Sequence, residues 1–270
     1  MAFCAADLSV RSIQKKEVNM KRDYKGISIN TSKNTHETVF SMILKNQNSK
    51  IVDIPCGSGA FILRLKDEGC QNVLGVDVDN IMEIDHTDFL VGDMTKILPI
   101  ENHSIDVIVC IDGIEHINRQ FDFVKEVNRI LKDDGEFIIS TPNISSLRSR
   151  WKWLMTGHHH KCDTPLDENN PNPLHHIGMI SFHEIRYMLH TNGFKIQKVT
   201  TNRIKWINWI YILIIPLAYM ITTYRYLNSG MKQGTLAINK EIKRIMFSKA
   251  VLFGETLIVK SIKTNAAPEA

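Results

Sequence analysis

Residues Ile51 to Phe61 read IVDIPCGSGAF: a short apolar run, a turn holding two glycines, then the first turn of an apolar helix. A buried strand that turns on glycine and re-enters as a helix opens a βα unit. Such units build parallel sheets with crossover helices. Glycine at the turn lets backbone N–H groups approach a ligand at the positively polarised helix end. The plain dinucleotide fingerprint Gly-x-Gly-x-x-Gly is not met, because Ile62 stands where the third glycine would fall. A nicotinamide-dependent oxidoreductase on the same kind of sheet is correspondingly disfavoured.

The rest of the chain continues the alternation. The spacing predicts a helix over 35–44, strands over 51–54 and 73–77, and a helix over 58–68 stopped by Gly69. Strands follow at 89–91 and 105–111, the latter nearly all β-branched as a strand buried on both faces should be. Residues 121–131 form an amphipathic helix, with Phe123, Val124, Val127, Ile130 and Leu131 on one face. A strand at 136–140 comes next. Ser181 and Glu184 make a capping box for a helix ending near Asn192-Gly193. Residues 195–200 alternate like an edge strand, and 256–259 fit a last strand. The expected layout is an N-terminal extension 1–34, a core 35–204, an apolar and amphipathic insertion 205–249, a last core strand in 250–263 and a tail 264–270.

The chain has 270 residues, 43% hydrophobic and 23% charged, with a net charge of +4. That suits one elaborated α/β domain, and the mild basicity does not by itself indicate nucleic acid. The five cysteines (Cys4, Cys56, Cys70, Cys110 and Cys162) show no Cys-x-x-Cys spacing, which fits a reducing cytoplasm. Residues 1–19 read as weakly structured and without a signal peptide, with Met20 as a possible start of the useful chain.

A parallel sheet gathers its strand ends on one edge, where Asp53, Asp77, Asp93 and Asp112 all fall. Residues 51–200 resemble the class I methyltransferases that use S-adenosylmethionine (SAM). The stretches are DIPCGSGAF, GVDVD, GDM, IDVIVCIDGIEHI, RILKDDGEF and FIISTPN, and LFGETLIVKSIK resembles the final strand of that family. The resemblance implies a Rossmann-like, doubly wound α/β fold with a mostly parallel seven-stranded sheet, and SAM as cofactor. It implies that Gly57 and Gly59 contact the methionine moiety, Asp77 the ribose, and Asp93 and Met94 the adenine. Asp112 and Gly113 would line the methyl-transfer side, and Asp53, Pro55, Cys56, Ser58 and Val78 belong to the same cofactor-binding stretches. Two departures stand out. Pro55 occupies the usual first-glycine position, and only ten residues separate Asp77 from Asp88, too few for a helix with its loops, so a more open adenine pocket is expected.

Asp112-Gly-Ile-Glu115-His116 places two carboxylates and an imidazole after a strand, as a divalent-metal set or an acid–base pair. The spacing is similar to that of ubiquinone-pathway O-methyltransferases and small-RNA 2′-O-methyltransferases. That resemblance implies a Mg²⁺-type ion on Asp112, Glu115, His116 and His176, the last just before the capping box. His116 and Glu115 as a metal-free catalytic pair stay equally open. His158–His160 read as a polar loop.

Two insertions remain. Residues 148–153 (RSRWKW) mix cations with indoles, and the following loop, from Asp163 to His176 with Pro165, Pro171 and Pro173, reads as an ordered lid. Residues 206–221 (WINWIYILIIPLAYMI) are shorter than the roughly 20 residues of a spanning helix and lie between two strands of one sheet. With the basic amphipathic helix over 238–247 they suit shallow attachment to the inner face of a membrane, a dimer interface or a core hairpin being the alternatives. The layout resembles bacterial methyltransferases of cell-surface polysaccharide and lipid biosynthesis. The expected function is O-methyl transfer to a glycan, lipid-linked or quinone-like acceptor. The alternatives are a small-molecule or RNA methyltransferase and a SAM-fold binding protein without catalysis.

Overall fold

The computed structural model describes residues 22–43, 48–85, 88–162, 166, 168–170, 172, 174–227 and 235–264. Cys4, Met20, Leu44, Asp163, Pro165, Pro171, Pro173 and the tail beyond Thr264 lie outside the described residues.

The chain starts with a small hairpin, β1 (Arg22–Tyr24) and β2 (Ile27–Ile29), followed by α1 (Thr35–Phe40). Then come β3 (Ile51–Asp53), α2 (Ala60–Asp67), β4 (Val73–Asp77), β5 (Asp88–Val91) and β6 (Ile105–Ile111). A single 3-10 turn at Ile114–His116 leads to α3 (Gln120–Ile130) and β7 (Leu131–Pro142). After α4 (Leu147–Thr156) and α5 (Phe182–Thr191), the chain forms β8 (Phe194–Thr201). A long excursion carries a 3-10 segment at Trp206–Ile214, α6 (Ile215–Leu227), α7 (Thr235–Met246) and α8 (Lys249–Phe253), before β9 (Thr256–Lys263) closes the sheet.

The seven strands lie in the order β5-β4-β3-β6-β7-β9-β8. All neighbours are parallel except β9, which runs antiparallel between β7 and β8. The order reverses between β3 and β6, the point where sheets of this kind take ligands beyond their carboxyl ends. Alternate residues of the central strands feed opposite faces. Val52, Ile108, Cys110 and Phe137 pack with α3 and α5, while Ile51, Val107, Val109 and Ile138 pack with α1 and α2.

Several boundaries differ from the expected ones. The first helix stops at Phe40, and α2 starts at Ala60 because Gly59 adopts a left-handed φ of 88° as its N-cap. No helix connects β4 to β5 among the described residues; Met82 and Ile84 instead cover that face of the sheet beside Phe89. The 143–180 connection is not all loop, since α4 forms within it, capped by Ser146. Residues 22–34, expected as a mere extension, pack on the core: the Ser58 hydroxyl donates to the Ser28 carbonyl, and the Asn202 amide donates to the Lys33 carbonyl. The capping box at Ser181–Glu184 and the edge position of β8 are as expected.

Candidate active site

The glycine turn leaves β3 at the sheet's reversal point. Its Ile54–Pro55 peptide is cis, and the Cys56 N–H donates to the Val76 carbonyl. Gly57 sits at φ 52°, and a Cβ there would meet nothing within 4 Å, so the backbone borders open space. This is the cradle a closely approaching ligand needs. The Asp77 carboxylate reaches the turn, accepting from the Gly57 N–H at 2.9 Å and from the Val78 N–H at 2.8 Å. Asp53 is buried behind them, its Oδ1 without a hydrogen-bond partner among the described residues, and burial, with the nearby Asp77 charge, holds its carboxyl well above the usual range. Burial likewise pushes the Cys56 thiol up, which leaves it a packing residue rather than a nucleophile.

At the next strand end, Asp93 accepts from both the N–H and the hydroxyl of Thr95, and Met94 is buried beneath. The Thr95 bonds hold the Asp93 carboxyl below its ordinary value. At the end of β6, Asp112 adopts a left-handed φ of 46°. Its N–H donates to Ser140, and its Oδ1 accepts from the Ser140 hydroxyl at 2.6 Å. Gly113 follows, pressed on the Pro55 ring: a Cβ would lie 2.2 Å from Pro55 Cδ.

The 3-10 turn then delivers Glu115 and His116. Glu115 is wholly buried with the Thr141 hydroxyl beside it, and neither carboxylate oxygen makes a close hydrogen bond among the described residues. Burial, and next the charge of Asp112, push its carboxyl well above the ordinary range. Residues 174–180 dock on this turn. The Gly178 N–H donates to the Glu115 carbonyl at 2.8 Å, and the Gln120 amide donates to the carbonyls of Gly178 and Ile114. A Cβ on Gly178 would lie 2.4 Å from the Ile117 carbonyl oxygen, so only glycine lets the strands of loop meet.

That contact brings His176 to His116, ring centroids 4.9 Å apart. Ligand atoms of Glu115, His116 and His176 lie within 4.8 Å of one another. Nδ1 of His116 contacts the His175 carbonyl, with the Leu174 backbone also near this ring, and Nδ1 of His176 contacts the Lys161 carbonyl. Asp112, turned to Ser140, is not among the three clustered residues, a correction to the four-residue set expected. His158–His160 lie in a loop, as expected, where the His159 Nδ1 is 3.1 Å from the Ser149 hydroxyl.

Three residues absent from the motif survey border the site: Ser140, Ser32 and Lys161. The Lys161 ammonium donates to the Ser32 hydroxyl at 2.6 Å and pairs with Glu255 at 3.2 Å. Only Ser140 had a local signal, in FIISTPN; Ser32 and Lys161 are assembled from distant segments. Glu255 also pairs with Arg203 and, at 3.2 Å, with Lys205. Burial alone would raise the Glu255 carboxyl, but the Arg203 hydrogen bond and the charges of Lys161 and Lys205 hold it at about 2 against its ordinary 4.5. Folding therefore excludes a proton between those values. The contribution is complete above pH 4.5 and fades as pH falls toward 2, on the order of 1–2 kcal/mol because the partners are partly solvated. Urea unfolding of wild type and Glu255→Gln at pH 7 and pH 3 checks this: the wild-type advantage at pH 7 is expected to shrink at pH 3.

A methyltransferase-domain family model matches residues 31–199, more than half of the chain. The chain belongs to the class I SAM-dependent methyltransferases, and the seven-stranded sheet with one antiparallel strand is their fold. A probable S-adenosylmethionine-dependent methyltransferase of Mycolicibacterium smegmatis is 28% identical over 170 residues, 60% of this chain and 58% of that protein. A ubiquinone biosynthesis O-methyltransferase of Neisseria meningitidis is 25% identical over 108 residues, 35% of this chain and 44% of that protein. The chain thus spans about half the length of these curated relatives. Among solved structures, a SAM-dependent methyltransferase of Mesorhizobium loti superposes with a TM-score of 0.50 at 16% identity, covering 84% of this chain and 96% of that one.

Proposed function

We propose that this chain transfers a methyl group from SAM to a hydroxyl of a glycan, lipid-linked or quinone-like acceptor, on the cytoplasmic side of a membrane. The observation that carries the oxygen-directed chemistry is the buried Glu115 carboxyl, without a close hydrogen bond among the described residues, beside His116 and His176. SAM, when bound, supplies the methyl group and, through its sulfonium, the drive for transfer. The open backbone at Gly57 accommodates the methionine part, Asp77 the ribose diol, and Asp93 and Met94 border the adenine. Asp112, fixed by Ser140, and Gly113, fixed by Pro55, line the side where the acceptor oxygen arrives.

His116 takes the hydroxyl proton at Nε2. Burial, and then the neighbouring His176, lower its pKa, so the ring is neutral and able to accept. Two imidazoles and one buried carboxylate also fit a divalent ion, which would polarise the acceptor oxygen. Imidazole donors suit Mn²⁺ or Zn²⁺ better than the oxygen-seeking Mg²⁺. The quinone-pathway relative supports an apolar hydroxylated acceptor.

Calorimetric titration with SAM tests the cofactor half. Asp77→Ala loses the carboxylate acceptor offered to the ribose and is expected to weaken SAM binding about tenfold or more. No heat with the wild type would sink the proposal. Transfer of labelled methyl from SAM into a bacterial lipid or glycan extract tests the acceptor half.

A further inference from the structure

The excursion between β8 and β9 contains an inside-out helix. Trp206–Leu227 forms 22 helical residues, six beyond the apolar stretch legible in the sequence, with mean hydropathy 1.5 and about 6% of its most apolar window buried. Pro216, in the first turn of α6, lacks only an N–H that the start of a helix leaves unused, so the segment runs on from 3-10 to α geometry. Three of its polar side chains face the protein, while Arg225 in the last turn stays in solvent. The Asn208 amide donates to the Phe253 carbonyl at 2.7 Å, Thr223 accepts from Lys243, and the Tyr226 hydroxyl reaches Met246. Its outer face is apolar: Trp206, Ile210, Leu213, Leu217, Met220 and Tyr224 are 55–84% exposed. A helix covering a water-soluble core shows the opposite pattern. Beside it, Trp153, Leu154 and Met155 of α4 are also more than half exposed, and α4 packs on the 206–214 segment. Apolar surface spread over two elements in this way marks an interaction site.

Charge points to the occupant. At the N-terminal end of this helix, Lys161, Arg203 and Lys205 share the carboxylate of Glu255, with Lys161 also facing Asp112, so positive charge remains in excess at Arg203 and Lys205. Their side chains are about one-third exposed, so they face solvent as well as Glu255. Lys205 adjoins Trp206, and a cation beside an indole suits the headgroup layer of a bilayer. The helix is long enough to cross a membrane, but β8 and β9, on either side of the excursion, are paired in one sheet. A single crossing would part them, so the segment lies along the surface.

We propose that the outer face of Trp206–Leu227, continued by Trp153–Met155, docks on an anionic lipid surface, with a lipid phosphate taken by Lys161, Arg203 and Lys205. Lys161 also touches Ser32 and carries the carbonyl that positions His176. The lipid surface therefore adjoins the methyl-transfer site. Delivery of an acceptor from the lipid phase rests on the methyltransferase proposal, whereas docking does not.

Co-sedimentation with phosphatidylcholine vesicles, with and without phosphatidylglycerol, tests the docking. Wild type is expected to bind both and to prefer the anionic ones by on the order of tenfold. Leu213→Asp with Met220→Asp, both fully outward, abolishes binding to either vesicle while its melting temperature and SAM titration stay unchanged. Lys205→Gln lowers only the anionic preference, by roughly fivefold. No sedimentation of wild type with any vesicle overturns the proposal, as does unchanged binding by the double variant. A dimer in sedimentation velocity that the double variant dissolves, without vesicle binding, assigns the face to a second copy. Loss of the anionic preference to inorganic phosphate, but not to chloride of equal ionic strength, assigns the cations to a free anion and overturns the headgroup contact. Failure of SAM titration in wild type would sink the methyltransferase proposal and leave the vesicle result standing.

Discussion

Gly113→Ala is expected to destabilise the protein by about 3 kcal/mol, the upper range for overpacking a closed core. The Cβ would come within 2.2 Å of Pro55 Cδ and 3.3 Å of Cys110 Sγ. Both neighbours are held: Pro55 by its ring and the turn around it, Cys110 near the C-terminal end of β6, where it is fully buried. Gly113 has φ −122°, which alanine adopts without strain, so the whole penalty is contact and none is backbone conformation. Thermal unfolding should show a fall in Tm of roughly 6–12 °C for a chain of this size. The same substitution in a Pro55→Gly background should cost much less, because the ring that the methyl strikes is gone. Equal penalties in both backgrounds would show that the clash is with something other than proline. SAM affinity should fall with Gly113→Ala as well, since the glycine turn and the end of β6 meet at this contact.

This pair shows where the sequence was legible and where it was not. The glycine turn, the acids at the strand ends and the β-branched run Ile105–Ile111 are local patterns, and they place the sheet and its ligand edge directly. The capping box at Ser181 is local too, and it appears with both of its hydrogen bonds. Pro55 was visible as a departure, but its partner Gly113 lies 58 residues on, and nothing in either segment names the other. The same holds for Lys161 and Glu255, brought together by the return of the chain through α8. α4 was missed because RSRWKW lacks apolar periodicity. Only Leu147 and Ser149 of that helix are fully buried, while Arg148, Arg150 and Lys152 are half-buried and Trp151 and Trp153–Thr156 are exposed. The 206–227 helix was read as a shorter stretch because Thr222 and Thr223 interrupt its hydropathy, while the structure turns those residues inward and continues the helix past them.

Glu115→Gln is expected to lower turnover by on the order of 10²–10³ while leaving SAM affinity within about twofold. The substitution keeps the shape of the side chain and removes its capacity to ionise or to exchange a proton. A buried carboxylate without a close hydrogen bond is held at a desolvation penalty, so the neutral amide should leave thermal stability unchanged or raised. Lost activity in a fully folded variant that still binds SAM would place Glu115 with the acceptor rather than with the cofactor. The partner variants separate the two chemistries this cluster fits. If His116 works as a base alone, His116→Ala should abolish activity, His176→Ala should be mild, and a chelator should change nothing. If Glu115, His116 and His176 hold a divalent ion, all three variants and the chelator should act alike, with Mn²⁺ or Zn²⁺ restoring only the chelated wild type. Full activity in Glu115→Gln would overturn the metal set and a Glu115–His116 acid–base pair, because each needs a carboxyl that can ionise, and would leave His116 to act without it.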